Sequence, residues 1–134
     1  MSRLVEDLKH EHILITDLFK EIKRFGISSK EGKEKLLTAK KGLLGHLKKE
    51  DDKLYPLLRK AAETNPSLET TLGLFAQEMV EVSAVVLKFF DKYAKGETSG
   101  LEFARDFGRL SASLGSRIRK EENILYAEYD KLAQ

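Results

Sequence analysis

Along four separate stretches of this chain, apolar residues recur at alternating steps of three and four, and that periodicity leaves little choice of fold. Such spacing keeps side chains on one face of an α-helix, whereas a strand would scatter them over both faces. The first stretch, 2–25, carries Leu8, Ile15, Phe19 and Ile22 on one seam and ends at Gly26, a residue suited to the left-handed stop of a helix. The second, 30–63, carries Ala39, Leu43, Leu54 and Leu57, and Pro56 within it predicts a kink or an end to the regular helix. Asn65-Pro66 breaks the chain again and permits a helix start with proline in its first turn. The third stretch then runs to about Lys95 through Leu72, Phe75, Met79, Val82, Val86, Phe89 and Tyr93, and stops at Gly96. The fourth starts from Thr98 or Ser99 as N-cap, carries Phe103, Phe107, Leu110, Leu114 and Ile124, and ends near Leu132. Four long helices with short links predict an all-α, up-down-up-down four-helix bundle, formed by residues 1–134 as one domain.

Composition narrows the function. Hydrophobic residues make up 41% of the 134 residues, enough for one core, and charged residues make up 34%. No run of 18 apolar residues occurs, so no transmembrane helix and no membrane partner is expected. Met1 to Asp7 already holds Arg3, Glu6 and Asp7 and lacks the apolar stretch of a secretory signal. Without cysteine there is no disulfide, thiolate ligand or iron–sulfur site, and the cytoplasm is the expected compartment. Net charge is +2, with Lys and Glu alternating as on a solvated helix surface. The most basic run, Lys40 to Lys49, is followed at once by Glu50, Asp51 and Asp52, so nucleic acid is not an expected partner.

The informative residues are polar ones that fall in the apolar seams. His12 lies four after Leu8 and three before Ile15. His46 follows Leu43 by three and Glu50 follows His46 by four; Arg117 follows Leu114 by three and Glu121 follows Arg117 by four. Five polar side chains are therefore expected to point into the core at one level, where each charge is costly unless paired or bound to metal. His10, about 200° around the helix from His12, is expected at the surface. Glu122, about 100° from Glu121, is the lesser candidate for an inward carboxylate. Glu78 and Glu81 lie off their seam and read as solvated. Tyr55 and Tyr126 read as core-edge packing with a hydroxyl partner, and Gly108 and Gly115 as sites of close helix approach or slight bending.

An internal echo links the second and fourth helices. His46-Leu-Lys-Lys-Glu50, continuing to Leu54-Tyr55, matches Arg117-Ile-Arg-Lys-Glu121, continuing to Leu125-Tyr126, with arginine standing where the first copy has histidine. Together with Glu11-His12, Tyr55-Pro56 and Glu121-Glu122, this pattern resembles the hemerythrin-like HHE cation-binding family over nearly the whole chain. The resemblance implies a four-helix bundle, and, in typical members, two irons held by about five histidines and two bridging carboxylates. Carried over residue by residue, it gives His12, His46, Glu50 and Glu121 as metal ligands. The departures are large: the third helix has Glu78-Met79 where the family has Glu-His and contains no histidine, and the fourth has Arg117 where histidine is expected.

Two readings of the layer follow. In one, a single ion, zinc, iron or manganese, is held by His12, His46, Glu50 and Glu121, and Arg117 takes the place of the second metal. In the other no metal is bound: Arg117 pairs with both Glu50 and Glu121, one protonated histidine completes neutrality, and Met79 is core packing. The corresponding functions are a small metal-binding protein in metal or oxygen sensing or storage, or a metal-free bundle acting as a regulatory or protein-interaction module. An enzyme of the di-iron oxidase type is not expected, because Glu-x-x-His pairs are absent.

Overall fold

A computed structural model describes residues 2–94 and 100–133, and among these every regular element is helical. Helix α1 is Arg3–Phe25. Helix α2 runs through Lys30–Lys49, a π-helical stretch Glu50–Leu54 and a further α-helical segment Tyr55–Ala62. Helix α3 is Pro66–Ala94. Helix α4 runs through Gly100–Lys120, a π-helical stretch Glu121–Leu125 and Tyr126–Leu132. Each helix packs on the next and α4 returns to α1, which is the expected up-down-up-down bundle. The expected stop at Gly96 and the N-cap at Thr98 or Ser99 lie outside the described residues.

The helix starts are set by local side-chain chemistry. Ser2 accepts a hydrogen bond from the Val5 N–H at 3.2 Å, Ser29 from Gly32 at 3.0 Å and Asn65 from Leu68 at 3.1 Å. Each such cap contributes about 1 kcal/mol. Helix α1 stops at Gly26, whose φ of 71° is open to glycine at little cost and whose N–H bonds the Ile22 carbonyl. The α1–α2 turn also requires glycine at position 32, because a Cβ there falls on the Gly26 carbonyl oxygen. We therefore expect Gly32→Ala to destabilise the fold by about 2–3 kcal/mol in urea denaturation. Gly45→Ala, where a Cβ meets nothing within 4 Å, should be neutral or stabilising by up to about 1 kcal/mol. Equal stabilities for the two variants would show that the turn adapts freely.

The core is divided. Ile15, Phe19, Leu43, Phe89, Phe107 and Leu114 belong to one apolar cluster, and Val5, Leu8, Leu54, Leu58, Phe75 and Leu125 to another. Between them lies the layer of His12, His46, Glu50, Arg117 and Glu121. Expectations for the two echo helices fail just beyond this layer. Leu57 is 36% exposed and Ile124 41%, whereas Leu58, Leu125 and Tyr126 are fully covered. The cause is the π-helical stretch in each helix, which adds a residue to the turn and moves the buried face one position along the chain. Pro56 does not end α2; the π stretch lies immediately before it and the helix continues to Ala62. The matching stretch in α4 has no proline, so proline alone does not create it. Close helix approach at Gly108 and Gly115 is not found either: a Cβ at Gly108 meets nothing within 4 Å and one at Gly115 only the Arg119 side chain. Both glycines line an open groove of about 830 Å³ between α1 and α4.

Candidate metal centre

All five polar seam residues converge. His12 comes from α1, His46 and Glu50 from α2, and Arg117 and Glu121 from α4, each no more than 5% exposed. His10 is exposed, as its position on α1 requires. The His12 and His46 rings lie with centroids 4.5 Å apart. Each ring is oriented from outside by a carboxylate: His12 Nδ1 meets Glu122 Oε2 at 2.8 Å and His46 Nδ1 meets Glu11 Oε1 at 2.8 Å. Lys49 in turn holds the other Glu11 oxygen at 2.5 Å. An imidazole that donates its Nδ1–H to a carboxylate turns an Nε2 lone pair the opposite way, here into the bundle. Inside, His12 Nε2 lies 3.5 Å from Glu121 Oε1, and His46 Nε2 lies 3.5 Å from Glu50 Oε1. The Tyr126 hydroxyl sits among them, 3.0 Å from Glu50 Oε2, to which it donates.

The charge state differs from the expected one. Burial holds His46 below the ordinary histidine range, so it is neutral rather than an imidazolium. Burial, reinforced by the nearby Glu121 charge, instead pushes Glu50 up to about 9, and Glu121 is also raised by burial. In the metal-free layer burial thus favours the protonated form of both inward glutamates, Glu50 with a value of about 9, and Glu121 is the one that stands beside Arg117. That arginine does not hydrogen-bond either inward glutamate. Its Nε stands 3.8 Å from Glu121 Oε2, and both atoms lack a hydrogen-bond partner. The guanidinium instead donates to the Phe75 carbonyl at 3.2 Å and the Tyr55 hydroxyl at 3.1 Å, and it packs 4.5 Å from the Phe75 ring centre.

One donor atom each from His12, His46 and Glu121 can be chosen within 4.8 Å of one another, all three residues buried. Two inward imidazole nitrogens, Glu121 Oε1 and the adjacent Glu50 carboxyl form a donor set that suits a divalent first-row metal. The side facing α3 offers nothing comparable. Met79 lines a small, largely apolar cavity of about 20 Å³ beside His12, His46 and Glu121. Glu78 lies at the rim, its Oε1 bonded by Lys120 at 3.1 Å and its Oε2 3.8 Å from Arg117 Nη1, and Glu81 is exposed. On the other side, Arg117 fills the space next to Glu121.

The sequence comparison agrees with this geometry. The family model for the hemerythrin HHE cation binding domain matches residues 3–129. The chain belongs to that family. No curated protein and no solved structure matches it. As a hemerythrin HHE domain, the chain keeps a His/His/Glu cluster able to hold a cation.

Three participants are legible in the sequence only in part. Glu11 is visible only as the motif neighbour of His12, and Glu122 only as the lesser candidate for an inward carboxylate, because their partners lie on other helices. Tyr126 follows Glu121 by five residues, roughly 140° away on a regular α-helix. The π stretch brings it onto the Glu121 face. Leu125-Tyr126 echoing Leu54-Tyr55 was the available signal, since the echo places both tyrosines at equivalent points past a buried glutamate.

Proposed function

We propose that this hemerythrin HHE domain binds a single metal ion, iron or zinc, through His12, His46, Glu121 and Glu50, and that it acts by binding rather than by catalysis. The observation that carries the reading is the orientation of the two histidines: outer carboxylates turn both Nε2 atoms inward, His12 Nε2 to within 3.5 Å of Glu121 Oε1 and His46 Nε2 to within 3.5 Å of Glu50 Oε1. A bound ion supplies a Lewis-acidic centre, redox-active if it is iron. The chain's own residues orient the rings, exclude water with apolar clusters on both sides and set the charge. Arg117 occupies the position at which the family pattern places a further histidine, and α3 presents Met79, so the reading is mononuclear. A role in metal or oxygen sensing in the cytoplasm fits a site that binds one ion. Among the described residues no helix is long and apolar enough to cross a membrane.

A second reading has its own support. With burial favouring protonated Glu50 and Arg117 standing 3.8 Å from Glu121, the inward carboxylates are compensated without metal, so the domain can stand as a metal-free regulatory or interaction module. Elemental analysis of protein purified without chelator, followed by titration of the chelated protein with ferrous iron and with zinc, separates the two. We expect one equivalent and no oxygen-bridged di-iron absorption in air. Two irons with an oxo-bridge band would overturn the mononuclear assignment. No retained metal, and no uptake on titration, would leave the metal-free polar layer.

A further inference from the structure

We infer that Tyr126 is itself a ligand of the metal, binding as a phenolate that selects ferric iron. This inference rests on the proposed metal reading and adds a donor that the sequence pattern did not assign. The Tyr126 hydroxyl oxygen lies 3.2 Å from His12 Nε2, 3.4 Å from His46 Nε2 and 3.0 Å from Glu50 Oε2. Donor atoms that share one ion at bonds of about 2.0–2.2 Å lie about 3.0 Å apart along an octahedral edge and about 3.4 Å apart along a tetrahedral one. The hydroxyl thus meets both ring nitrogens at ligand–ligand separations, and at shorter range than the 3.5 Å contact each ring makes with its inward glutamate.

Hydrogen bonding alone does not account for this arrangement. A hydroxyl donates one hydrogen, yet three polar atoms converge on this oxygen. Both rings give their Nδ1 side to carboxylates, which leaves two Nε2 lone pairs facing the same oxygen. With both rings neutral, even a proton on Glu50 leaves one of these nitrogens facing the oxygen with no hydrogen between them. Lone pairs from three elements converge in this way around a cation. Tyr126 is fully covered, and its ring stacks against His12 at 5.5 Å between centroids, so the oxygen is fixed rather than mobile. On ligation the O–H bond breaks, its proton leaves to the buffer, a metal–oxygen bond forms and no electron moves. The selection of ferric iron follows from donor hardness: a tyrosinate and two carboxylates are hard oxygen donors, which favour ferric over softer ions.

The test loads chelated protein with ferric iron supplied as its nitrilotriacetate complex. We expect one retained equivalent, a visible phenolate-to-ferric charge-transfer band, and tyrosinate ring modes in resonance Raman excited within it. Tyr126→Phe should lose the band and bind ferric iron at least roughly tenfold more weakly. Tyr93→Phe, whose tyrosine lies in the cluster with Phe89 and Phe103, should keep both properties. Iron retained by the wild type without the band, or a band that survives in Tyr126→Phe, would refute phenolate ligation while leaving the metal reading intact. No retained ferric iron in the wild type would refute phenolate ligation, and the ferrous iron and zinc titration then decides the metal reading separately. Should Tyr126→Phe fail to fold, the wild-type Raman spectrum decides by the presence or absence of tyrosinate modes.

Discussion

Arg117→Leu should lower the stability of the metal-free protein by about 3 kcal/mol, a fall of about 10 °C in Tm for a chain of this size. The arginine is 5% exposed and sits where the two apolar clusters meet. Its loss leaves the Tyr55 hydroxyl without its donor, removes a bond to the Phe75 carbonyl and strips the Phe75 ring of its cation. It also leaves Glu121 as a buried charge with no cation opposite. Part of that last penalty is relieved when Glu121 takes up a proton, which is why the estimate stays near the lower end for a broken buried pair. Leucine restores apolar volume but none of these partners. Arg117→His should also be less stable without metal, because imidazole is too short to reach the Phe75 carbonyl. It returns the residue type that the family pattern has at this position, so added ferrous iron or zinc should stabilise it more than the wild type. Thermal unfolding of both variants with and without metal checks the pair. A wild-type Tm for Arg117→Leu would mean that the guanidinium contributes nothing in the core.

The layer was legible in the sequence because charge in an apolar seam is a strong anomaly. His12, His46, Glu50, Arg117 and Glu121 each break a three-four repeat, and each is buried at one level. Regular α-helical phase was all that reading needed, and it holds through α1, through α3 and up to Glu50 and Glu121. Beyond those two glutamates the phase changes: an unbroken α-helical repeat puts Leu57 and Ile124 inside and Tyr126 at the edge, whereas Leu57 and Ile124 lie outside and Tyr126 at the centre. Apolar periodicity carries no direct mark of a π-helical turn. The expected pairing of Arg117 is met only in part, for a different reason: Glu121 stands 3.8 Å from its Nε, beyond hydrogen-bond reach, and Glu50 is not a partner. Charge complementarity named the nearest carboxylates, whereas the length of the side chain carries the guanidinium past Glu121 to a backbone carbonyl on α3 and a hydroxyl on α2. Likewise, which group holds the layer's proton depends on burial and on the separation of Glu50 from Glu121, neither of which spacing alone supplies.

The location of that proton gives the metal-free protein an unusual pH response: its stability should fall by about 2–3 kcal/mol between pH 7 and pH 9. Glu50 is raised to about 9 in the fold and has an ordinary value of 4.5 when unfolded. Between those values the native state holds one proton more than the unfolded state, so stability decreases as pH rises, by up to about 1.4 kcal/mol per unit. Glu121, raised in the same direction, acts with the same sign. His46 works oppositely. Held low by burial, it is neutral in the fold while the unfolded residue protonates below 6.5, so stability falls as pH drops below that value. Between 4.5 and 6.5 the His46 and Glu50 slopes oppose each other. Glu11 is held low by Lys49 and His46 against a burial effect that raises it, and its contribution is lost as pH falls below 4.5. The clean window is therefore 7 to 9, read by urea denaturation in the presence of chelator. Glu50→Gln should flatten the slope there, because glutamine is a neutral mimic of the protonated acid. Metal reverses the sign: ligation requires deprotonated carboxylates, so apparent affinity for the ion should rise over the same window. A flat profile for the wild type would show that Glu50 is ionised at neutral pH. The negative charge facing Arg117 would then be that of two carboxylates, and the compensation that lets the layer stand without metal would be gone.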